Sequence, residues 1–374
     1  MTGFSLKDEL FNRDKVSYLA SRFVAADSEF DEKGFIRDVM KKLKQLELKQ
    51  RIVLIAQTLE KYLSDDFKTA TDQICKALPP RLDPSKTDDD FGDFIIAPLG
   101  EFVVRNGLSK SHLKRSLSTL KEITQRFSME DAIRYFIREF PEQTLRELEK
   151  WSANKNYHVR RLVSEGTRPS LPWSGRIGLE FKTTMPLLNT LHADPTRYVT
   201  RSVANHLNDI AKSEPDLVIT TLKDWKKLGK QSPDELAWMT RHALRTLVKQ
   251  GNPKALKLLG YRSKPEIEVS QIELERQSIR PGETLQFEFV ISANRTEALM
   301  IDYVIDFVKA NGKRAPKVFK AKQLKMRKGE SQTVSKRHPL RANATTFKLY
   351  PGTHNLSVQI NGQVYSACEF ELQD

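Results

Sequence analysis

A 40-residue interval runs through the middle of this 374-residue chain and constrains its fold more than any single motif does. Val159 and Arg161 are followed by Val199 and Arg201, and these by Met239 and Arg241. Four residues after each arginine comes a second polar side chain: Glu165, Asn205 or Arg245. Positions four apart share a helix face, so stacked copies predict a stripe of three arginines beside one carboxylate. Upstream, Pro141, Leu145, Leu148 and Trp151 share their offsets with Pro215, Ile219, Leu222 and Trp225. That is an apolar stripe of helical period behind a helix-starting proline. Each unit is expected to be a helix pair, and a period of about 40 residues predicts a HEAT-like solenoid with a concave binding face.

The flanks divide the chain in two. Residues 1 to 80 read as helical, with Phe35, Val39, Leu43, Leu46, Ile52, Ile55 and Leu59 near helical period until Pro79 and Pro80. A polar loop, Arg81 to Asp90, precedes further helical pattern through Leu117, Leu120, Ile123, Phe127, Ile133, Phe136 and Ile137. After Arg262 the pattern switches to alternating segments such as TLQFEFVI and MIDYVIDFV, separated by Pro-Gly, Asn-Gly or Gly-Glu turns. The expected architecture is therefore a mostly α chain: a HEAT-like helical domain over 1–262, then an all-β immunoglobulin-like sandwich over 263–374. Asn361-Gly362 predicts a two-residue hairpin.

Charge narrows the partners. The net charge of +14 favours an acidic partner, nucleic acid or an anionic surface. Between Lys309 and Arg341 stand twelve basic residues against one acid, Glu330. This run, with Lys320, Lys322, Lys325 and Arg327 at its centre, reads either as a phosphate-binding face or as a solubilising strand face. The N-terminus lacks the apolar core of a signal peptide, and no run approaches a membrane span, so a cytoplasmic protein is expected. Cys75 and Cys368 are too few and too far apart for a disulfide framework, and the seven histidines show no metal-ligand spacing. Neither a metal nor another cofactor is expected.

The chemistry centres on Trp151 to Trp173, WSANKNYHVRRLVSEGTRPSLPW. Its helix is expected to end with Gly166 at the C′ position, before Pro169 and Pro172 extend the chain toward Trp173. Glu165 then lies in the last turn, where the helix dipole disfavours a negative charge by roughly 0.3–1 kcal/mol. A carboxylate beside Arg161 suits stabilisation of a cationic transition state or the holding of a water. It equally suits a plain i, i+4 ion pair.

The run W-x6-HVRR-x3-EG-x-RP-x-LPW resembles the signature of the AlkC family of DNA alkylation repair glycosylases, relatives of AlkD. LELKQRIVLIAQTLEKYL, GEFVVRNGL and the block from Asp194 to Ile210 extend the resemblance over most of residues 5 to 261, and the β-rich end resembles the subgroup with an Ig-like domain. The resemblance implies a monofunctional glycosylase that excises cationic bases, chiefly 3-methyladenine and 3-methylcytosine, from duplex DNA without placing them in a closed pocket. It implies that Glu165 stabilises the oxocarbenium ion and positions water, and that Trp173 packs against the lesion. Arg161, Arg168, Arg201 and Arg241 would grip phosphates, joined by Arg160 and by Asn205 on the stripe. His206 reads as a DNA contact or a helix-surface group, and Trp151 and Trp225 as core. A monomer is expected to suffice. Two other functions fit the residues alone: a scaffold whose arginines meet an acidic protein, and a non-catalytic binder of unusual DNA structures.

Overall fold

The computed structural model describes residues 5–87, 91–342 and 347–374. The first four residues of the N-terminus and the last three of the polar Arg81–Asp90 loop lie outside that description. Sixteen α-helices precede nine β-strands among the described residues. The first five are α1 (Leu6–Leu10), α2 (Arg13–Ala26), α3 (Glu32–Leu43), α4 (Leu48–Leu59) and α5 (Phe67–Ala77), which stop short of Pro79. The apolar pattern that spans Phe35 to Leu59 is cut at Glu47, whose backbone N–H donates to Gln50 Oε1 at 2.8 Å and so starts a new helix. A 3-10 turn, Phe94–Ile96, leads into α6 (Ala97–Gly107), α7 (Leu113–Ile123), α8 (Glu130–Glu139), α9 (Pro141–Trp151) and α10 (Tyr157–Gly166). Then come α11 (Phe181–Leu191), α12 (Arg197–Ile210), α13 (Pro215–Leu228) and α14 (Pro233–Ala243), and finally α15 (Arg245–Lys249) and α16 (Pro253–Leu258).

The repeat expected from the 40-residue interval is present. Helix α10 packs against α12, and α12 against α14. Val159, Val199 and Met239 are all fully buried, as equivalent core positions of successive repeats must be. Trp151 and Trp225 are core residues too; the Trp225 indole N–H donates to Asn189 Oδ1 at 2.9 Å, which satisfies its polar edge. The third copy is shorter than the spacing suggests. Helix α14 ends at Ala243, so Arg245 opens the next helix and does not share a helix with Arg241. No helix among the described residues is long and apolar enough to cross a membrane.

Two compact units emerge, one of Met1–Ile210 with Asp224–Ala243, the other of Ala211–Lys223 with Leu244–Asp374. The second holds the sandwich: β1 (Ile267–Val269), β2 (Glu273–Leu274), β3 (Ser278–Ile279), β4 (Thr284–Ala293), β5 (Glu297–Val308), β6 (Arg314–Met326), β7 (Ser331–Pro339), β8 (Gly352–Ile360) and β9 (Gln363–Leu372). In one sheet β4 pairs with β1, β2 and β7; the other has the order β3-β9-β8-β5-β6. Alternate residues face inward, Leu285, Phe287, Phe289 and Ile291 from β4 meeting Leu299, Ile301, Tyr303 and Ile305 from β5. The Asn361-Gly362 turn joins β8 to β9 with φ of 47° and 80°, the left-handed pair its sequence predicts. Its tip is packed backbone to backbone against Gly251, where an added Cβ would stand 2.7 Å from the Gly362 carbonyl oxygen.

Candidate active site

Helix α10 is buried almost all round by α8, α9, α11 and α12, so its polar residues stand in low-dielectric surroundings. Isolated charges there would be prohibitive, and the chain pairs each of them. Asn156 caps the helix, its side chain accepting from His158 N at 2.9 Å. About one and a half turns on, Arg161 donates to Glu130 Oε2 at 2.9 Å and to Ser128 Oγ at 2.7 Å, with its guanidinium 4.4 Å from the Tyr198 ring centre and 5.4 Å from that of Phe91. Glu165, 5% exposed, accepts from Arg168 Nη1 at 2.6 Å and from Ser202 Oγ at 2.6 Å, and lies 3.8 Å from Arg161. Arg168 reaches on to Asp209 at 2.9 Å. The result is an alternating chain of charge: Glu130, Arg161, Glu165, Arg168, Asp209.

That chain fixes the ionisation of Glu165. Burial alone would raise its carboxyl, but the charges of Arg161 and Arg168 and the Ser202 hydroxyl outweigh burial and hold it below the ordinary glutamate value. Burial likewise works against the Arg161 cation, and Glu130 and Glu165 more than restore it. Glu165 is therefore an anion at neutral pH with both oxygens engaged. It is suited to stabilising positive charge and is a poor proton acceptor.

The chain leaves α10 through a loop that carries Trp173. Gly166 is the last helical residue and Thr167 the cap, so the glycine does not serve as the left-handed C′ residue expected from sequence. Its small size is required for another reason: a Cβ there would lie 2.5 Å from Ile133 Cγ2 on α8. Leu171 is buried and anchors the loop, while Trp173 is 64% exposed. Both belong to the wall of a cavity of about 470 Å³, together with Glu130, Arg161, Glu165, Arg168, Arg201 and Asn205. Phe91, Phe127, Tyr135 and Tyr198 give the same cavity an aromatic lining.

The structure thus brings Glu165, Trp173, Arg161, Arg168, Arg201 and Asn205 to one cavity and separates the rest. The repeat arginines do not present one uniform stripe: Arg161 is buried, Arg201 partly exposed and Arg241 exposed. Arg160 points away from the cavity group, its guanidinium held by Asp194 at 2.5 and 3.1 Å and by the carbonyls of Asn154 and Lys155. This ties α10 to the start of α12, and a guanidinium so engaged is a structural strut. Asn205 Oδ1 pairs with His242 Nε2 at 2.8 Å. His206 is fully buried, contrary to the surface position expected of it; its Nδ1 meets the Ser164 carbonyl at 3.1 Å, and burial pushes its pKa down to about 4. Lys320, Lys322, Lys325 and Arg327 are exposed at the edge strand β6 and the turn after it. Sequence reasoning missed Glu130, Ser202, Asp209 and Arg134. Ser202 sits beside Arg201 in the repeat and was accessible by that spacing; the others have no local signal.

A helical-repeat body with a buried carboxylate, followed by a β-sandwich, defines the class of protein to be matched. Residues 268–374 match the family model described as the C-terminal Ig-like domain of uncharacterised protein YhaZ. The chain is 32% identical over 368 residues to uncharacterized protein YhaZ of Bacillus subtilis (strain 168), covering 97% of this chain and 98% of that one. Among solved structures it is similar to Pseudomonas fluorescens alkylpurine DNA glycosylase AlkC bound to DNA containing an abasic site analog. There the TM-score is 0.89 at 33% identity, over 99% of this chain and 100% of the other. The chain belongs to the AlkC family of DNA glycosylases, in the form that carries a C-terminal Ig-like domain.

Proposed function

We propose that this protein is a monofunctional DNA glycosylase that hydrolyses the N-glycosidic bond of cationic N-methylated bases, chiefly 3-methyladenine and 3-methylcytosine, in duplex DNA. The observation that carries this reading is a buried Glu165, paired with Arg161 and Arg168, on the same cavity wall as an exposed Trp173. A passive binder of DNA or of an acidic protein needs neither that carboxylate nor the indole beside it.

The chemistry fits those two groups. A methylated base carries a positive charge, so when its bond to C1′ breaks the electron pair goes to the base, which leaves neutral. Positive charge appears on the sugar, where the fixed Glu165 anion stabilises it. Water then adds to C1′ and its proton passes to solvent, since Glu165 is a weak base. Trp173 offers an electron-rich face to the cation. Arg161 and Arg168 hold Glu165 in place and keep it charged, while Arg201 and Arg241, less buried, are the better phosphate ligands of the repeat. Neither group demands the closed pocket on which base-flipping enzymes rely. The helical domain, 1–262, would carry this chemistry as a monomer, and the sandwich, 263–374, would add phosphate contacts through Lys320, Lys322, Lys325 and Arg327. Incubating the full-length protein with methylated duplex DNA should release free 3-methyladenine and 3-methylcytosine. Tight DNA binding without any released base would return the protein to the class of non-catalytic binders.

A further inference from the structure

Arg134, on α8, is fully buried, and among the described residues its hydrogen bonds all run to main-chain carbonyls. Nη1 donates to Gly166 O at 3.1 Å and to Arg168 O at 2.7 Å, while Nε and Nη2 both donate to Gly175 O, at 3.1 and 2.8 Å. Gly166 directly follows Glu165 and ends its helix; Gly175 comes two residues after Trp173. One planar guanidinium therefore spans the segment that bears both groups. One turn further along α8, Arg138 donates to Arg176 O at 3.1 Å, and its Nη2 would stand 2.6 Å from a Cβ added at Gly175.

We propose that Arg134 is a positioning residue that fixes where Trp173 stands relative to Glu165; this rests on the functional reading above. The loop from Thr167 to Glu180 has only an isolated bridge, Leu171 to Ser174, as regular structure among its described residues, so its course must be set from outside. An apolar side chain would serve packing at this site, whereas a buried cation is stable there only because loop carbonyls surround it. Burial pushes Arg134 down to about 10, which leaves it charged at neutral pH. It also completes the carbonyls left open at the end of α10 and offsets the helix dipole that disfavours Glu165. Lysine can replace it only in part, because one ammonium nitrogen lacks the wide, rigid fork that spans the carbonyls of Gly166, Arg168 and Gly175.

The test uses the full-length protein with Arg134→Met, Arg134→Lys and Trp173→Ala, alone and combined. Single-turnover base release at saturating DNA, DNA affinity and the rate of tryptic cleavage after Arg176 are measured in each. Arg134→Met should slow release by up to about 30-fold, the most that loss of the Trp173 contact itself should cost, with little change in affinity and with faster cleavage of the loop. Arg134→Lys should recover only part of the rate. In the Trp173→Ala background Arg134→Met should add little, because the group it places is already gone. Equal losses with and without Trp173 would overturn the proposal, as would unchanged cleavage in a folded Arg134→Met protein. Should Arg134→Met not fold, Arg138→Ala loosens the same loop from an exposed position. It should give a smaller loss that likewise disappears with Trp173→Ala, and an equal loss in both backgrounds would again overturn the proposal. Absence of base release by the wild-type protein would sink the functional reading and the catalytic consequence with it, while the cleavage assay judges the pinning separately.

Discussion

Around α10, Arg161 and Arg168 keep 7% and 11% of their side chains exposed and each touches a carboxylate, whereas Lys320, Lys322 and Lys325 stand exposed along an edge strand. The same charge thus has two uses in one chain. Buried, it fixes the place and ionisation of an anion, because an unpaired charge in that setting is too costly to tolerate. Exposed, such charge can guard a sheet edge against pairing with another chain, and on the proposed function it offers phosphate contacts whose strength depends on salt. On the proposed function, the first pattern serves the chemistry and the second holds a polyanion.

The widest separation between these uses should come from Glu165→Gln. It should lower base release by about 10²–10³-fold or more, as for loss of a key electrostatic group, while DNA affinity holds or rises because a negative charge near phosphate is gone. Arg168→Ala should come next. It strips Glu165 and Asp209 of a shared cation inside the core, with a loss of about 3–5 kcal/mol in unfolding free energy. An exposed change such as Lys322→Gln should stay within about 0.5 kcal/mol; equal losses by denaturant titration would erase the contrast. Trp173→Ala should slow release of cationic bases by roughly 0.5–2 kcal/mol of barrier, and an equal slowing with an uncharged lesion would argue against a cation contact.

On the exposed side, replacing Lys320, Lys322, Lys325 and Arg327 together by Gln should weaken DNA binding independently of sequence. It should also flatten the log–log salt dependence by about 0.9 for each phosphate that is no longer neutralised. An unchanged slope would leave the lysines as edge protection alone. A further effect concerns pH and touches both units. His206 and His338 are buried with pKa values pushed down to about 4, by burial first in each case. The unfolded chain binds protons at these sites near pH 6.5 while the folded chain does not, so stability should fall as pH drops from about 6.5 toward 4. Glu165 acts in a lower window. Its folded value lies below 4.5, so its contribution is complete above 4.5 and is lost only as pH falls through the folded value. A thermal midpoint that stays flat from pH 6.5 to 5 would contradict the buried, neutral histidines.

Much of this was legible in the sequence where periodicity carries the information. The 40-residue interval located α10, α12 and α14, and Asn361-Gly362 located its hairpin to the residue. Helix α11 is harder to see, since Pro186 interrupts it, although it begins 40 residues after α9. Strands β6 and β7 lie within the basic run, where lysines on exposed positions blur the alternation that marks β4 and β5. Within the site, Glu165 and Trp173 stood out as residue types, but their surroundings did not. Burial of Arg161, the diversion of Arg160 to Asp194 and the reach of Arg134 across 41 residues to Gly175 are products of packing between helices, which no local spacing encodes.

The division of labour is tested most directly by single-turnover base release at saturating DNA, measured side by side for Glu165→Gln and the fourfold β6 variant. Glu165→Gln should lose the rate with its affinity intact, and the fourfold variant, once saturated, should release base at the wild-type rate despite its weaker binding. A wild-type rate from Glu165→Gln, or a slow rate from the saturated fourfold variant, would contradict the assignment of chemistry to the buried carboxylate and of grip to the exposed strand.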